Sequence, residues 1–287
     1  MMEKRIQMVL DQLSNHESSQ LIIKDEWIEE AGEQFKDTMR RQFGRESEAF
    51  RLRMSNIGRA TCQLQLARDG AVAHRKDYNF MTRMMLGDAC ESILDVILRI
   101  AGANITGSKD KVQLQLGEHL IKGEDDIEID NKVYDIKSCS PWAFDNKWKK
   151  GYSELAEHDD FGYVPQLVGY AAAKGKEPGG WIVMNKSTGE ILVVEYTATK
   201  KEYLQTLASM EATADLIASD APFKRCFEPV EEYFSRTPTD SLKLGIECGF
   251  CDFVHTCYPN AQYLPVKQSK AKAPPHKWYV RYNGKDL

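Results

Sequence analysis

The 287-residue sequence predicts an α/β chain with a helical N-terminal region and a cysteine-bearing C-terminal region. Three observations predict it. Apolar residues recur at helical spacing through the first hundred positions. The period then drops to two at Lys111, and strand-like and helical stretches alternate as far as about Ser219. Beyond that point Cys248, Cys251 and Cys257 crowd into one short loop.

Within residues 1–50, Ile23, Trp27, Ala31, Phe35, Met39 and Phe43 recur every four residues, which predicts a helical cap on a core. A second helix is expected from Asp77 to Ile100, with Phe80, Met84, Ile93, Ile97 and Ile100 as its apolar side. Val112, Leu114 and Leu116 alternate with Lys and Gln, the signature of a half-buried strand. Short strands follow near Asp126–Ile129 and Val133–Ile136, with the turn at Asn131-Lys132. Residues 142–156 and 164–174 read as helices, Trp181–Met184 and Ile191–Val194 as a strand pair, and Lys200–Ser219 as a helix. The rest reads as loops, and the stretch from Leu264, with Pro274-Pro275 inside it, as a mobile basic tail. The expected division is therefore a helical region at 1–76, a core at 77–220, a cysteine-bearing region at 221–263 and a tail at 264–287.

Hydrophobic residues make up 42% and charged residues 28%, as in an ordinary globular chain, and the formal net charge is −5. That balance argues against a histone-like binder, which neutralises phosphates over its whole surface. It leaves room for an enzyme that concentrates positive charge in one cleft. No apolar run approaches the roughly 20 residues a membrane span needs, and the N-terminus is too polar and acidic for a secretory signal. An intracellular, cytoplasmic protein is expected. In a reducing compartment seven cysteines favour metal or cluster ligation, or burial, over disulfides.

The stretch Gly123-Glu-Asp-Asp126-Ile-Glu-Ile-Asp-Asn-Lys-Val-Tyr-Asp135-Ile136-Lys137 carries the most chemistry. Asp135 and Lys137 are two apart on a strand and share a face. Asp126, on the strand before, can reach the same point. Converging carboxylates repel, and a divalent cation relieves them. Phosphodiester hydrolysis uses this set: oxygen ligands for Mg²⁺ or Mn²⁺ and a lysine that handles the attacking water. The alternative is an exposed acidic hairpin whose Lys137 only offsets local charge.

In order along the chain stand Gly87-x-x-x-Glu91, Gly123-x-x-Asp126, Asp135-x-Lys137 and Gln166-x-x-x-Tyr170. This series resembles the RecB-like branch of the PD-(D/E)XK nucleases. The resemblance implies a restriction-endonuclease-like core, a mixed central sheet flanked by helices. It implies Glu91, Asp126 and Asp135 as metal ligands, with the Ile136 carbonyl as a further oxygen. Lys137 would be the catalytic lysine, and Gln166 and Tyr170 would position the DNA backbone or the water. Where the branch often has His in its first motif, this chain has Glu91.

Cys248-x-x-Cys251-x5-Cys257 is a ligand loop short of one partner. Iron–sulfur clusters and structural zinc both want four soft ligands. His255, inside the loop, would complete a Cys₃His zinc site. Iron–sulfur members of the nuclease branch, such as CRISPR-associated exonucleases and AddB-type nuclease domains, pair one upstream cysteine with three downstream. Cys62 stands where that upstream cysteine belongs, so the resemblance implies a 4Fe-4S cluster on Cys62, Cys248, Cys251 and Cys257. Cys90, Cys139 and Cys226 are left over, and burial is expected for Cys90 and Cys139.

The stretch Trp142–Lys150 interleaves aromatics with lysines, which suits single-stranded DNA, because rings stack on bases while ammonium groups track phosphates. An amphipathic helix with Trp142 and Trp148 in the core fits it equally. The expected activity is a DNA exonuclease acting on single strands or ends. An endonuclease, a CRISPR spacer-processing nuclease and a non-catalytic DNA-binding module remain open. Recombination or CRISPR proteins are the expected partners, in a phage or a bacterial defence system.

Overall fold

The computed structural model describes residues 2–44 and 49–287. Two helices open the chain, α1 (Met2–Ser14) and α2 (Asp25–Phe43), followed by α3 (Thr61–Arg68) and α4 (Phe80–Ile100). Strands β1 (Ile105–Ser108), β2 (Lys111–Leu116), β3 (His119–Glu124), β4 (Ile127–Ile129) and β5 (Lys132–Cys139) come next. Then follow α5 (Pro141–Asn146), α6 (Tyr152–Glu157), α7 (Tyr163–Lys174), β6 (Glu177–Asn185), β7 (Ile191–Glu195) and α8 (Lys200–Ala218). The C-terminal part holds β8 (Val230–Phe234), β9 (Thr237–Lys243), α9 (Ile246–Gly249), α10 (Val254–Cys257), β10 (Gln262–Pro265), β11 (His276–Tyr282) and β12 (Lys285–Asp286).

The chain divides into two units. One comprises the residues up to Gly58 with Asp77–Ala212; the other comprises Arg59–Lys76 with Thr213–Leu287. The division cuts across the expected one, because the segment around Cys62 groups with the C-terminal residues and not with the preceding helices.

The first unit is a mixed sheet flanked by helices, in strand order β1-β4-β5-β6-β7. Only β5 and β6 run parallel; the other neighbours are antiparallel. A parallel pair needs a long crossover, which α5, α6 and α7 supply. On one face Tyr134, Ile136, Ile182 and Ile191 pack with Ile6 and Val9 of α1 and Leu94, Ile97 and Leu98 of α4. Helix α4 buries the expected stripe only in part: Ile97 is buried and Ile100 packs on the core, but Ile93 is 52% exposed and Met84 is exposed, while Cys90, Leu94 and Leu98 are buried in their place. The helix carries apolar residues on two sides, and periodicity alone does not choose between them.

The turn between β4 and β5 is Asp130-Asn131, one residue earlier than expected. Both residues have positive φ, 51° and 66°, as a two-residue hairpin turn demands. A further hairpin, β2–β3, stands apart as a two-stranded sheet. In the second unit β10-β11-β9-β8, with β12 on β11, form an antiparallel sheet. The expected basic tail is thus partly strand: His276–Tyr282 pairs on one side with Gln262–Pro265, and the Tyr279 side chain is fully buried. Among the described residues no helix is long and apolar enough to cross a membrane.

Candidate active site and cysteine pocket

The acidic site grows from strand register. Ile127 pairs with Tyr134 and Glu128 with Val133, so the next antiparallel step sets Asp126 opposite Asp135. The Ile136 amide donates to Asp126 Oδ2 at 2.7 Å, fixing that carboxylate against β5. Lys137, two residues beyond Asp135 on the same face, brings its Nζ to 2.6 Å from Asp135 Oδ2. Apart from that ion pair, no well-formed hydrogen bond reaches either carboxylate oxygen of the fully buried Asp135. Such a group is costly to bury unless something else binds it.

Glu91 enters from α4. It is ion-paired with Lys109, whose Nζ also lies 3.6 Å from Asp126 Oδ1. Burial, reinforced by the Asp126 charge, pushes the Glu91 carboxyl up to about 6. Burial also raises Asp135 well above the carboxylate range; Lys137 opposes that shift and Asp126 adds to it. For Asp126 burial is outweighed by Lys137 and Lys109, and its carboxyl is held below its ordinary value. Lys137 is itself desolvated, yet Asp135 and Asp126 raise it, so it stays an ammonium.

Tyr170 and Gln166 lie on α7, one turn apart, and Gln166 Nε2 donates to the Tyr170 hydroxyl at 3.2 Å. The Tyr170 hydroxyl is raised by burial first, then by the charges of Asp135 and Asp126, so it faces the acidic site. Gly123 admits this ring: a Cβ there would fall 2.7 Å from Tyr170 Cε1 and 2.8 Å from Met54 Cγ. The structure therefore gathers Glu91, Asp126, Asp135, Lys137 and Tyr170, with Gln166 behind Tyr170. Lys109 was not expected. It sits in the turn between β1 and β2 with φ 56°, and nothing in Ser108-Lys109-Asp110 distinguishes it from an ordinary turn lysine.

The lysine-aromatic stretch splits in two. Trp148 is core, packed against Tyr163 and Trp181, while Trp142 is 67% exposed. Lys149 and Lys150 pair with Asp145 and Glu154, and Lys147 donates to the His158 carbonyl. Arg68 braces its own unit, donating to the Ser219 carbonyl and pairing with Asp69.

In the second unit five cysteines line one small pocket: Cys62 at the start of α3, Cys226, and Cys248, Cys251 and Cys257 around α9 and α10. Leu66, Phe253 and Val254 make the surroundings apolar. Burial pushes the Cys62 and Cys248 thiols up to about 12; Cys226 adds to the first shift, and Cys251 and Cys257 to the second. Arg59 Nε is buried without a hydrogen-bond partner, and its charge acts on Cys251. Arg225 donates to the Cys257 carbonyl at 2.6 Å. His255 is exposed and packs edge-on against Trp278, 4.9 Å between ring centres, away from the pocket lining. Cys90 and Cys139 are buried in the first unit. As the side chains stand, no three His, Cys, Asp or Glu among the described residues are set close enough to hold a metal ion. In the acidic site the ammonium groups of Lys109 and Lys137 lie against the carboxylates.

No protein-family model matches the chain. No curated protein matches it either. Among solved structures, SSO0001 is similar over 78% of this chain and 93% of that one, with 15% identity and a TM-score of 0.43.

Proposed function

We propose that the chain is a divalent-metal-dependent DNA nuclease of the RecB-like PD-(D/E)XK type, with a restriction-endonuclease-like core and a 4Fe-4S cluster. The observation that carries the reading is the convergence of Asp126, Asp135, Lys137 and Glu91 from two strands and a helix, with the Asp135 carboxylate fully buried against Lys137. Hard oxygen donors of this kind suit Mg²⁺ or Mn²⁺. When bound, such a cation supplies Lewis acidity and an activated water.

Asp135 and Asp126 would hold the cation, with Glu91 and the Ile136 carbonyl at its edge. Lys137, kept protonated by its two carboxylate neighbours, serves as a hydrogen-bond donor and orients a phosphate oxygen or the attacking water. Lys109 neutralises Glu91 and Asp126 before the cation arrives. The Tyr170 hydroxyl, itself accepting from Gln166, is left with its own proton to donate to the DNA backbone. Trp142, the exposed ring of the lysine-aromatic stretch, offers a stacking surface for an unpaired base. Single strands or DNA ends are therefore the favoured substrates.

For the second unit, four thiols in an apolar pocket fit an iron–sulfur cluster. The buried Arg59 Nε offers a donor to its sulfurs, and His255 points to Trp278, which favours the cluster over a Cys₃His zinc site. Ligation releases the thiol protons that burial now retains.

The test is cleavage of 5′- and 3′-labelled single- and double-stranded DNA with Mg²⁺, Mn²⁺ or EDTA. Metal-dependent release from ends supports an exonuclease, and internal cuts an endonuclease. Binding without cleavage under every metal moves the assignment to a non-catalytic module.

A further inference from the structure

Four thiols satisfy a 4Fe-4S cluster, yet five line the pocket. The surplus one is Cys226, which lies far from any other cysteine in sequence. Its Sγ accepts the Cys62 backbone N–H at 3.1 Å and lies 3.4 Å from Thr61 Oγ1. It thus sits on the first turn of α3, at the backbone of Cys62. A helix N-terminus is a favourable place for a thiolate, because amide N–H groups and the helix dipole both stabilise it. Cys62 is buried and Cys226 is exposed, so the pair offers one inner and one solvent-side sulfur beside the same three partners. Cys248, Cys251 and Cys257 all come from a single short segment and would supply three of the four ligands. Cys62 and Cys226 both line the pocket beside these three, so each is a candidate for the fourth ligand.

We propose that Cys226 is an exchangeable ligand of the cluster, able to replace Cys62 at the fourth iron. The proposal rests on the cluster reading above. It means that the fourth corner is the labile one, and that losing Cys62 does not by itself empty the site.

The test uses the full chain as wild type, Cys62→Ser, Cys62→Ala, Cys226→Ser and the double variant Cys62→Ser/Cys226→Ser. Each is reconstituted anaerobically with ferrous iron and sulfide. Iron and sulfide per chain, the electron paramagnetic resonance of the reduced cluster, far-ultraviolet circular dichroism and iodoacetamide labelling of Cys226 are read. Each single variant is expected to keep at least about half the wild-type iron, and the double variant less than about a tenth. In Cys62→Ser, loading should slow Cys226 alkylation by about tenfold or more and alter the resonance. Cys62→Ala guards against a folding defect from a buried hydroxyl. Iron loss in both Cys62 variants down to the level of the double variant, with dichroism unchanged, overturns the proposal. So does Cys226 alkylation that is equally fast with and without the cluster. A wild type that takes up no iron defeats the cluster reading itself, and is told apart because the loss precedes any substitution.

Discussion

Asp125 and Asp126 are neighbours in the chain but belong to two different charge environments. Asp125 is fully buried, accepts the Asp110 N–H at 2.8 Å and pairs with Lys174 at 2.8 Å. Three residues on, Glu128 is 1% exposed and bound by Lys174 at 3.2 Å, by Lys176 and by Thr106. Burial alone would raise the Glu128 carboxyl, yet Lys176, Thr106 and Lys174 outweigh it and hold it down at about 2. In the neighbouring site Asp135 is raised and has no well-formed hydrogen bond beyond its ion pair with Lys137, and Glu91 nearby is raised as well. One cluster of buried carboxylates is satisfied by the chain and stabilises it. The other is left wanting, as a binding site for a cation must be.

The largest expected effect separates the two clusters by activity. Lys137→Ala should lower the cleavage rate per folded molecule by about 10²–10⁴-fold, beyond the stability lost with its ion pair to the buried Asp135. A variant that cleaves as fast as wild type would remove Lys137 from the chemistry. The opposite pattern is expected at the satisfied cluster. Glu128→Gln should cost about 3 kcal/mol of stability with the rate per folded molecule unchanged. Since the folded Glu128 value is depressed, its contribution is present above pH 4.5 and is lost as pH falls from 4.5 toward about 2. Urea unfolding along that range should show the gap between variant and wild type closing in acid.

Glu91 has the reverse sign. Its folded value lies above its ordinary 4.5, so the folded chain binds the extra proton and stability falls as pH rises from 4.5 to about 6. In EDTA, Glu91→Gln should therefore be more stable than wild type above pH 6, by about 1–2 kcal/mol, with the gain gone below pH 4.5. Melting curves with no such crossover would contradict the strained arrangement of Glu91. The smallest effect is expected of Tyr170→Phe, which gives up one hydrogen bond worth about 1 kcal/mol. Its rate should fall by less than about tenfold, and a larger loss would make the hydroxyl part of the chemistry.

The acidic site was legible because strand geometry is: a spacing of two sets Asp135 and Lys137 on one face, and a short hairpin sets Asp126 opposite. What spacing does not carry is the identity of the partner. In Glu124-Asp125-Asp126-Ile127-Glu128 every carboxylate looks alike, and only the positions of Lys174 and Lys176, some fifty residues on, separate the satisfied acids from the others. The C-terminal sheet was illegible for a related reason. The one buried residue of β8 is a glutamate, Glu232, which accepts from the Tyr279 hydroxyl at 3.0 Å, so no apolar alternation marks the strand. Its turn, Ser235-Arg236, takes positive φ at both positions without the Gly or Asn that announces such turns. Cys226 belongs to no close cysteine spacing in the sequence, and only the fold brings it to Cys62.

The central claim is that the unsatisfied cluster, and not the satisfied one, binds the metal that cleaves DNA. Manganese binding followed by electron paramagnetic resonance, together with nucleotide release, in Asp135→Asn beside Glu128→Gln tests it most directly. The account predicts that Asp135→Asn loses both manganese and cleavage, while Glu128→Gln keeps both at a lower melting temperature. Manganese and nuclease activity undiminished in Asp135→Asn would contradict it.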